Sequence, residues 1–397
     1  MRSSSELPAT SQSGDSVPAG AGPLAGVRVV ELGGIGPAPY AAMLLADLGA
    51  DVVRIDRPRT APSGSPAMRR GKRSVVLDLR NPADSGIALD LVARADIGIE
   101  GFRPGIAEKL GVGPGDCLSH NGQLVYGRMT GWGQDGPWAH KAGHDINYIG
   151  LVGALHSIGR SGGPPVVPHC LVGDLGGGGM YLVTGLLAAL LHARTTGEGQ
   201  VVDAAIIDGA ATLMTPTYGR LAADDWRDER GVNLLDSGRP WYDVYETADH
   251  GWLAVGALED VFYAQLLDRL GMSTADGDRT DPARWPALRA RFAAVFATRT
   301  RREWEDIFNG SDACVTPVLG LEDARTHPHN VARRVFDPVT GLPAAAPRFS
   351  ATPTRISQLT PPSCADTDVV LAEWLGSPGG TQRRSAVPGT AALKKGS

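Results

Sequence analysis

The feature that most constrains this chain is an alternation in its first half, where short runs of apolar, β-branched residues are separated by stretches of helical character. "VRVVEL" (Val27–Leu32), "DVVRID" (Asp51–Asp56), "SVVLDL" (Ser74–Leu79), "DIGIEG" (Asp96–Gly101) and "QLVYGRMTG" (Gln123–Gly131) read as strands. Between the first two lies "PYAAMLLADLGA", a helix with Pro39 near its first position and Gly49 as its stop. Strands that alternate with helices imply a parallel, doubly wound sheet. The expected class is therefore α/β, with a large Rossmann-like domain and a smaller α+β domain.

The divisions follow composition. Residues 1–22 read as a disordered polar tail, and 23–220 as the N-terminal part of the large domain. The charged stretch 221–236 ("LAADDWRDERG" within it) reads as a linker and 237–335 as the small domain. The Pro-rich segment within 336–376 is expected to return extended along the large domain, and 377–397 to be a second disordered tail.

Composition removes several functions. The net charge is −5 and no basic run is long enough to track a phosphate backbone, which argues against a nucleic-acid partner. Cys117, Cys170, Cys314 and Cys364 have neither CxxC nor CxxH spacing, so neither a zinc site nor a disulfide framework is expected. The N-terminus has no apolar signal-like core, and the apolar run Met180–Leu191 is too short to span a bilayer, so it reads as a buried helix. A cytoplasmic protein without a membrane partner is the expectation.

"ELGGIGPAP" superficially resembles a dinucleotide fingerprint, with Asp56 about 20 residues further on. Pro39 takes the position of the third glycine, however, and Pro37 and Pro39 each remove a backbone donor that a phosphate needs. No nicotinamide or flavin cofactor is expected.

Three carboxylates or imidazoles stand out. His144, in "KAGHDINY", alone fits a packed histidine as well as a base; Gly143, Asp145 and Asn147 around it suit a tight turn that holds a side chain in place. Asp174 follows an apolar stretch and precedes Gly176 to Gly179, an N-cap-like position. The glycines there suit a backbone that approaches a ligand and offers N–H groups to an oxyanion. Glu259 ends the strand-like "LAVGALE", where a solvated strand-end carboxylate is the plain alternative. "MRRGKRS" (Met68–Ser74), with Arg54, Arg57 and Arg59 upstream, is a basic cluster of a size that suits a phosphate-bearing ligand.

Taken in order, "LAGVRVVELGGIGPAPYAAMLLADLGADVVRIDRP", "RMTGWGQDGPWAHKAGHDINYI", "LVGDLGGGGM", "GEGQVVDAAIIDG", "VNLLDSG", "YETADHGWLAVGALE" and "SDACVTPVL" resemble the α-methylacyl-CoA racemases of the family III CoA-transferase superfamily. The resemblance runs from about Pro23 to about Pro353. It implies that His144 and Asp174 are the two acid/base residues and that Glu259, with Asp145, holds the imidazole. Coenzyme A would be bound through Arg57, Leu77, Asp78, Leu79, Arg80, Arg103, Gly143, Asn147 and Tyr148. It implies an interlocked homodimer, each site lying between the large domain of one chain and the small domain of the other. The substrate would be an acyl-CoA thioester, with coenzyme A part of the substrate and no separate cofactor or metal. Two places depart from the family pattern: Asp260-Val261 replaces a common Pro-Gln after Glu259, and Cys170 stands where Asn is common.

The chemistry agrees with that assignment. Inverting a thioester α-carbon needs a base on each face and a means of stabilising the enolate. The expected reaction is racemisation of 2-methyl-branched acyl-CoA, His144 taking the proton from the (S) centre and Asp174 reprotonating the other face, as in branched-lipid metabolism. Two alternatives stay open at this point: a CoA transferase in which Asp174 is the nucleophile, and an acyl-CoA-binding homologue without activity.

Overall fold

In the computed structural model, residues 22–58, 65–354, 356 and 366–376 are described. Apart from Gly22, both expected tails lie outside the described residues, as do Arg59 and Cys364. Six strands come first: β1 (Arg28–Glu31), β2 (Asp51–Asp56), β3 (Lys72–Val76), β4 (Ile97–Glu100), β5 (Val125–Thr130) and β6 (Gln200–Ala205). Every pairing between them is parallel, in the order β3-β2-β1-β4-β5-β6, the doubly wound arrangement of Rossmann-like folds.

The crossovers carry α1 (Pro37–Asp47), α2 (Pro82–Val92), α3 (Ile106–Lys109) and α4 (Pro114–His120). After β5 come α5 (Asp145–Leu151), α6 (Ala154–Ser157) and a π-helix (Leu171–Met180) that runs directly into α7 (Tyr181–Thr196); α8 (Ile206–Leu213) and α9 (Thr215–Ala222) follow β6. Helix α1 begins two residues earlier than expected, at Pro37, where a missing N–H costs nothing. Its Ala41, Ala42 and Leu45 share one core with Leu182, Leu186 and Ala189 of α7. The opposite sheet face is covered by α2 and α4, with Leu91, Val92 and Cys117 in a second core.

The apolar run expected at Met180–Leu191 belongs to a longer helical segment. Leu171–Thr196 is 26 residues and, by length and composition, long and apolar enough to cross a membrane. In the fold, Leu182, Val183, Leu186 and Leu190 are buried against the sheet core.

The second sheet is small and antiparallel: β7 (Tyr242–Glu246), β8 (Trp252–Gly256) and β9 (Val315–Val318). One face packs on α10 (Asp260–Leu270), α11 (Trp285–Phe296) and α12 (Arg301–Phe308) through an aromatic core of Trp241, Tyr245, Tyr263, Phe292, Phe296 and Trp304. Two short helices, α13 (Leu321–Thr326) and α14 (Pro328–Arg333), lead away from it. The chain then regains the first sheet, where Pro343 O accepts from Arg70 Nη1 at 2.9 Å. The last described element is α15 (Thr367–Leu375), which the sequence reading did not anticipate. There, Val370 and Trp374 join the second core, and Trp374 Nε1 donates to Asp51 Oδ2 at 2.9 Å.

The basic cluster at 68–74 proves to be structural. Arg70 is buried and forks onto Asp47, with Nη2 to Oδ2 at 2.5 Å. Arg73 bridges Asp51 and Glu373. Lys72 Nζ donates to Glu31 Oε2 at 2.7 Å and to Pro39 O at 2.8 Å, with both side chains 1% exposed. Burial pushes the Lys72 ammonium pKa below its ordinary value, and the Glu31 carboxylate pulls it back up. Removing one member of such a pair strands the other charge without water. Lys72→Met is therefore expected to lower stability by about 3–5 kcal/mol, whereas Glu31→Leu with Lys72→Met recovers most of it. Thermal melts of the three proteins check this.

Candidate active site at the sheet switch point

In an open α/β sheet, ligands settle outside the carboxyl ends of the strands where the strand order reverses. Here that point lies between β1 and β4. The residues after β1 (Gly33 to Ile35) and after β4 (Gly101, Phe102) form a partition with a cleft on each side. One cleft, of about 620 Å³, is lined by Arg57, Leu77, Asp78, Leu79 and Arg80. The other, of about 300 Å³, is lined by Arg103, Gly143, His144, Tyr148 and Asp174. Ile35, Gly101 and Phe102 wall both. Residues spread over more than a hundred positions thus meet around one partition.

The partition is held from below by Glu100, the last residue of β4, which is fully buried. Its Oε2 accepts the Phe102 N–H at 2.9 Å, and its Oε1 accepts from Arg128 Nε at 2.8 Å. Burial pushes its carboxyl pKa above the ordinary glutamate value, and the Phe102 N–H and Arg128 oppose this.

His144 is exposed and immediately precedes α5. Its N–H donates to Asn147 Oδ1 at 3.0 Å and its carbonyl accepts the Asn147 N–H at 2.8 Å, so Asn147 locks the turn from beside the cleft. Tyr148 donates its hydroxyl to Gly143 O at 2.5 Å and walls the cleft with its ring. The "GHDINY" stretch is thus a self-bonded helix start that presents an imidazole.

Asp174 differs from its expected setting. It does not cap a helix: Cys170 precedes the π-helix, and Asp174 sits in its first turn. The backbone donors expected to meet an oxyanion are also engaged, since the Asp174 N–H donates to Asp145 Oδ2 at 2.7 Å and the Leu175 N–H to Cys170 O at 3.1 Å. The glycines serve helix packing. A Cβ on Gly177 would stand 2.6 Å from Ala210 N, and one on Gly209 of α8 would stand 1.8 Å from Gly177 O. What brings Asp174 to the cleft is the turn before α1. Gly36 has φ 64, and a Cβ there would lie 3.1 Å from Asp174 Oδ2. Burial, and then the neighbouring Asp145 charge, holds the Asp174 carboxyl pKa above the ordinary aspartate value, while His144 pulls it down.

Asp145, expected to hold the imidazole, instead spends its Oδ2 on the Asp174 backbone, because as the first residue of α5 it points inward and is only 8% exposed. Glu259 lies three residues past the end of β8, preceding α10, exposed and beside Cys314; it does not line the His144 cleft of its own chain. Asp260, one of the departures from the family pattern, pairs with Arg279. Arg80 likewise pairs with Asp78, Nη2 to Oδ2 at 2.9 Å.

Sequence reasoning missed Lys141, Trp132 and Trp138, although all three lay inside a quoted segment. Lys141 Nζ sits 3.9 Å from the Trp138 ring centre; Trp138 meets Trp132 edge-on at 5.0 Å, and Trp132 meets Tyr148 at 4.7 Å. Two tryptophans so close to the turn were the available signal. A larger cavity, about 810 Å³, lies between the loop at 157–166 and the open face of the small sheet. It contains neither His144 nor Asp174, and its one buried acid, Asp243, pairs with Arg160 and Arg289. Among the described residues no group of three or more His, Cys, Asp or Glu side chains is placed to hold a metal ion.

The packing predicts one outcome directly. Gly209→Ala forces the π-helix and α8 apart and is expected to cost about 1–3 kcal/mol, read as a lower melting temperature by circular dichroism, with loss of whatever activity depends on Asp174.

Known proteins align with this arrangement. The chain is 43% identical to "Alpha-methylacyl-CoA racemase" of Mus musculus over 358 residues, covering 88% of this chain and 93% of that protein. It is 30% identical to "Succinyl-CoA--L-malate CoA-transferase beta subunit" of Chloroflexus aurantiacus, covering 89% and 94%. Among solved structures, a CAIB/BAIF family protein from Brucella suis superposes with a TM-score of 0.76 at 26% identity, covering 89% of this chain and 100% of that one. The model of CoA-transferase family III matches residues 24–367. The chain belongs to CoA-transferase family III.

Proposed function

We propose that this protein is a racemase of 2-methyl-branched acyl-CoA thioesters, using His144 and Asp174 as its two bases. One observation carries the reading: an imidazole and a carboxyl of separate elements line one small cleft, beside Arg103 and next to a second cleft that Arg57 overlooks. Its 43% identity to a racemase, against 30% to a transferase, points the same way.

His144 takes the α-proton of the (S) thioester, and the C–H electron pair moves into the enolate. Protonated Asp174 then delivers its proton to the opposite face, and the roles reverse for (R). Because the N–H groups at Asp174 and Leu175 are engaged, the enolate is met by the field of a helix N-terminus. The α1 N-terminus at Gly36–Pro37 borders the cleft and contributes about 0.3–1 kcal/mol to a nearby anion. Arg57 and Arg103, both exposed, suit the phosphates of coenzyme A.

Glu259 reaches His144 in this reading only from a second copy, so the working unit is a homodimer with shared sites. Exposed Ile146, Leu151, Leu171, Met180 and Leu213, on the mutually packed α5, π-helix and α8, are suited to such an interface. The chain is read as cytoplasmic.

Incubation of each 2-methylacyl-CoA epimer in deuterated water should give α-deuterium and mixed stereochemistry; His144→Ala should abolish epimerisation in both directions and α-exchange of the (S) epimer. Acyl transfer to a free carboxylate without α-exchange would install the transferase instead. Because the Asp174 carboxyl pKa is raised, its anionic form is lost as pH falls through a value above the ordinary aspartate range; the acid limb of kcat/KM should lie there. Asp174→Ala and Glu259→Ala, each inactive, should restore activity when co-expressed, since half-mutant dimers then contain one intact site.

A further inference from the structure

We propose that Asp145 is the positioning residue for Asp174 and not for His144: its carboxylate anchors the peptide that carries Asp174 and keeps a buried negative charge behind it, so that Asp174 can donate a proton as well as accept one. The inference rests on the racemase reading for its chemistry and on geometry for its assignment.

The geometry is tight. Asp145 Oδ2 accepts the Asp174 N–H at 2.7 Å across 29 residues of sequence. The residue before Asp174 leaves room for that carboxylate only because it is glycine: a Cβ on Gly173 would lie 2.3 Å from Asp145 Oδ2. Oδ1 of Asp145 is buried and accepts no hydrogen bond among the described residues, so much of the charge is left unanswered by local donors. A π-helix places its N–H groups poorly for i−4 carbonyls, and the first turn of any helix has donors to spare. Asp145 takes one of these, fixing the azimuth at which Asp174 leaves the helix.

The groups that act on the Asp174 carboxyl come from few elements. From α5 they are His144, Asp145 and the Tyr148 hydroxyl; from the start of the π-helix, the Cys170 thiol; from the turn before α1, the backbone at Gly36. Arg103 acts on Tyr148 from across the cleft. Asp145 is the sole carboxylate of this set other than Asp174 itself. Two like charges this close resist ionising together, so a proton resides on Asp174 at higher pH than it would otherwise.

The test separates anchor from charge. Asp145→Asn keeps a carbonyl that accepts the Asp174 N–H and removes the charge; Asp145→Ala removes both. Dependence of kcat/KM on pH and amide exchange of the Leu171–Leu175 segment by mass spectrometry are measured for each. The expected result is an acid limb displaced to lower pH by at least about half a unit in the Asn variant. In the Ala variant the plateau falls by about 10²-fold and the Asp174 amide exchanges faster, with a smaller plateau loss in the Asn variant. An unmoved acid limb overturns the role of the charge. A basic limb that moves alone returns Asp145 to the imidazole and overturns the assignment. Wild-type amide exchange in the Ala variant overturns the anchor. Should wild type show no α-exchange of substrate at all, the racemase reading fails, while the amide measurement still decides the anchor.

Discussion

Two buried carboxylates terminate the two central strands, and the rest of the large domain is arranged around them. Glu31 closes β1 and Glu100 closes β4, the pair of strands at which the sheet reverses its order. Each is answered from another strand, Glu31 by Lys72 of β3 and Glu100 by Arg128 of β5. Desolvation makes such pairs poor sources of net stability. Their effect lies in what else they bind. Lys72 also holds the Pro39 carbonyl in the first turn of α1, and Glu100 also holds the Phe102 N–H. The two loops that meet as the partition between the clefts are thus tied to the sheet by the same charges that end its strands.

Upon this frame the site is assembled from segments with separate structural duties. The turn before α1 is shaped by glycine backbone and brings the cleft wall to Asp174. The start of α5 supplies His144 on its outer side and Asp145 on its inner side, adjacent residues that face different environments. One is exposed and the other 8% exposed, and this alone separates a group that faces the cleft from one that faces protein.

Much of this was legible in the sequence. The strand runs were legible because buried strands of an α/β fold are short, near-continuous apolar runs rich in β-branched residues and bounded by turn residues. The segments "LDLR" and "GHDINY" both line clefts beside the partition. Charge was less legible, since its sign is visible but its partner is not. Arg70 finds Asp47 at 23 residues' distance, Lys72 finds Glu31 at 41, and Arg73 finds Glu373 at 300. A cluster reserved for ion pairs looks the same as one reserved for phosphate. Glycine was ambiguous for a related reason: a backbone kept bare for a ligand and one kept bare for another helix share a composition. Gly177 and Gly209 belong to the second kind, and only the packing of the π-helix on α8 distinguishes them.

The last helix has a consequence for how the chain is made. β3 is an edge strand of the large sheet, and its N–H groups at Ser74 and Val76 donate to Asp366 Oδ2 and Thr367 Oγ1, at 3.1 Å and 3.2 Å, nearly 300 residues later. During vectorial synthesis that edge stays open while the small domain and the return segment emerge. An uncovered strand edge is a template for pairing with another chain. A chain that ends before this segment would lose that cover, so α15, together with Asp366 just before it, acts as the seal that keeps the edge from pairing with another chain.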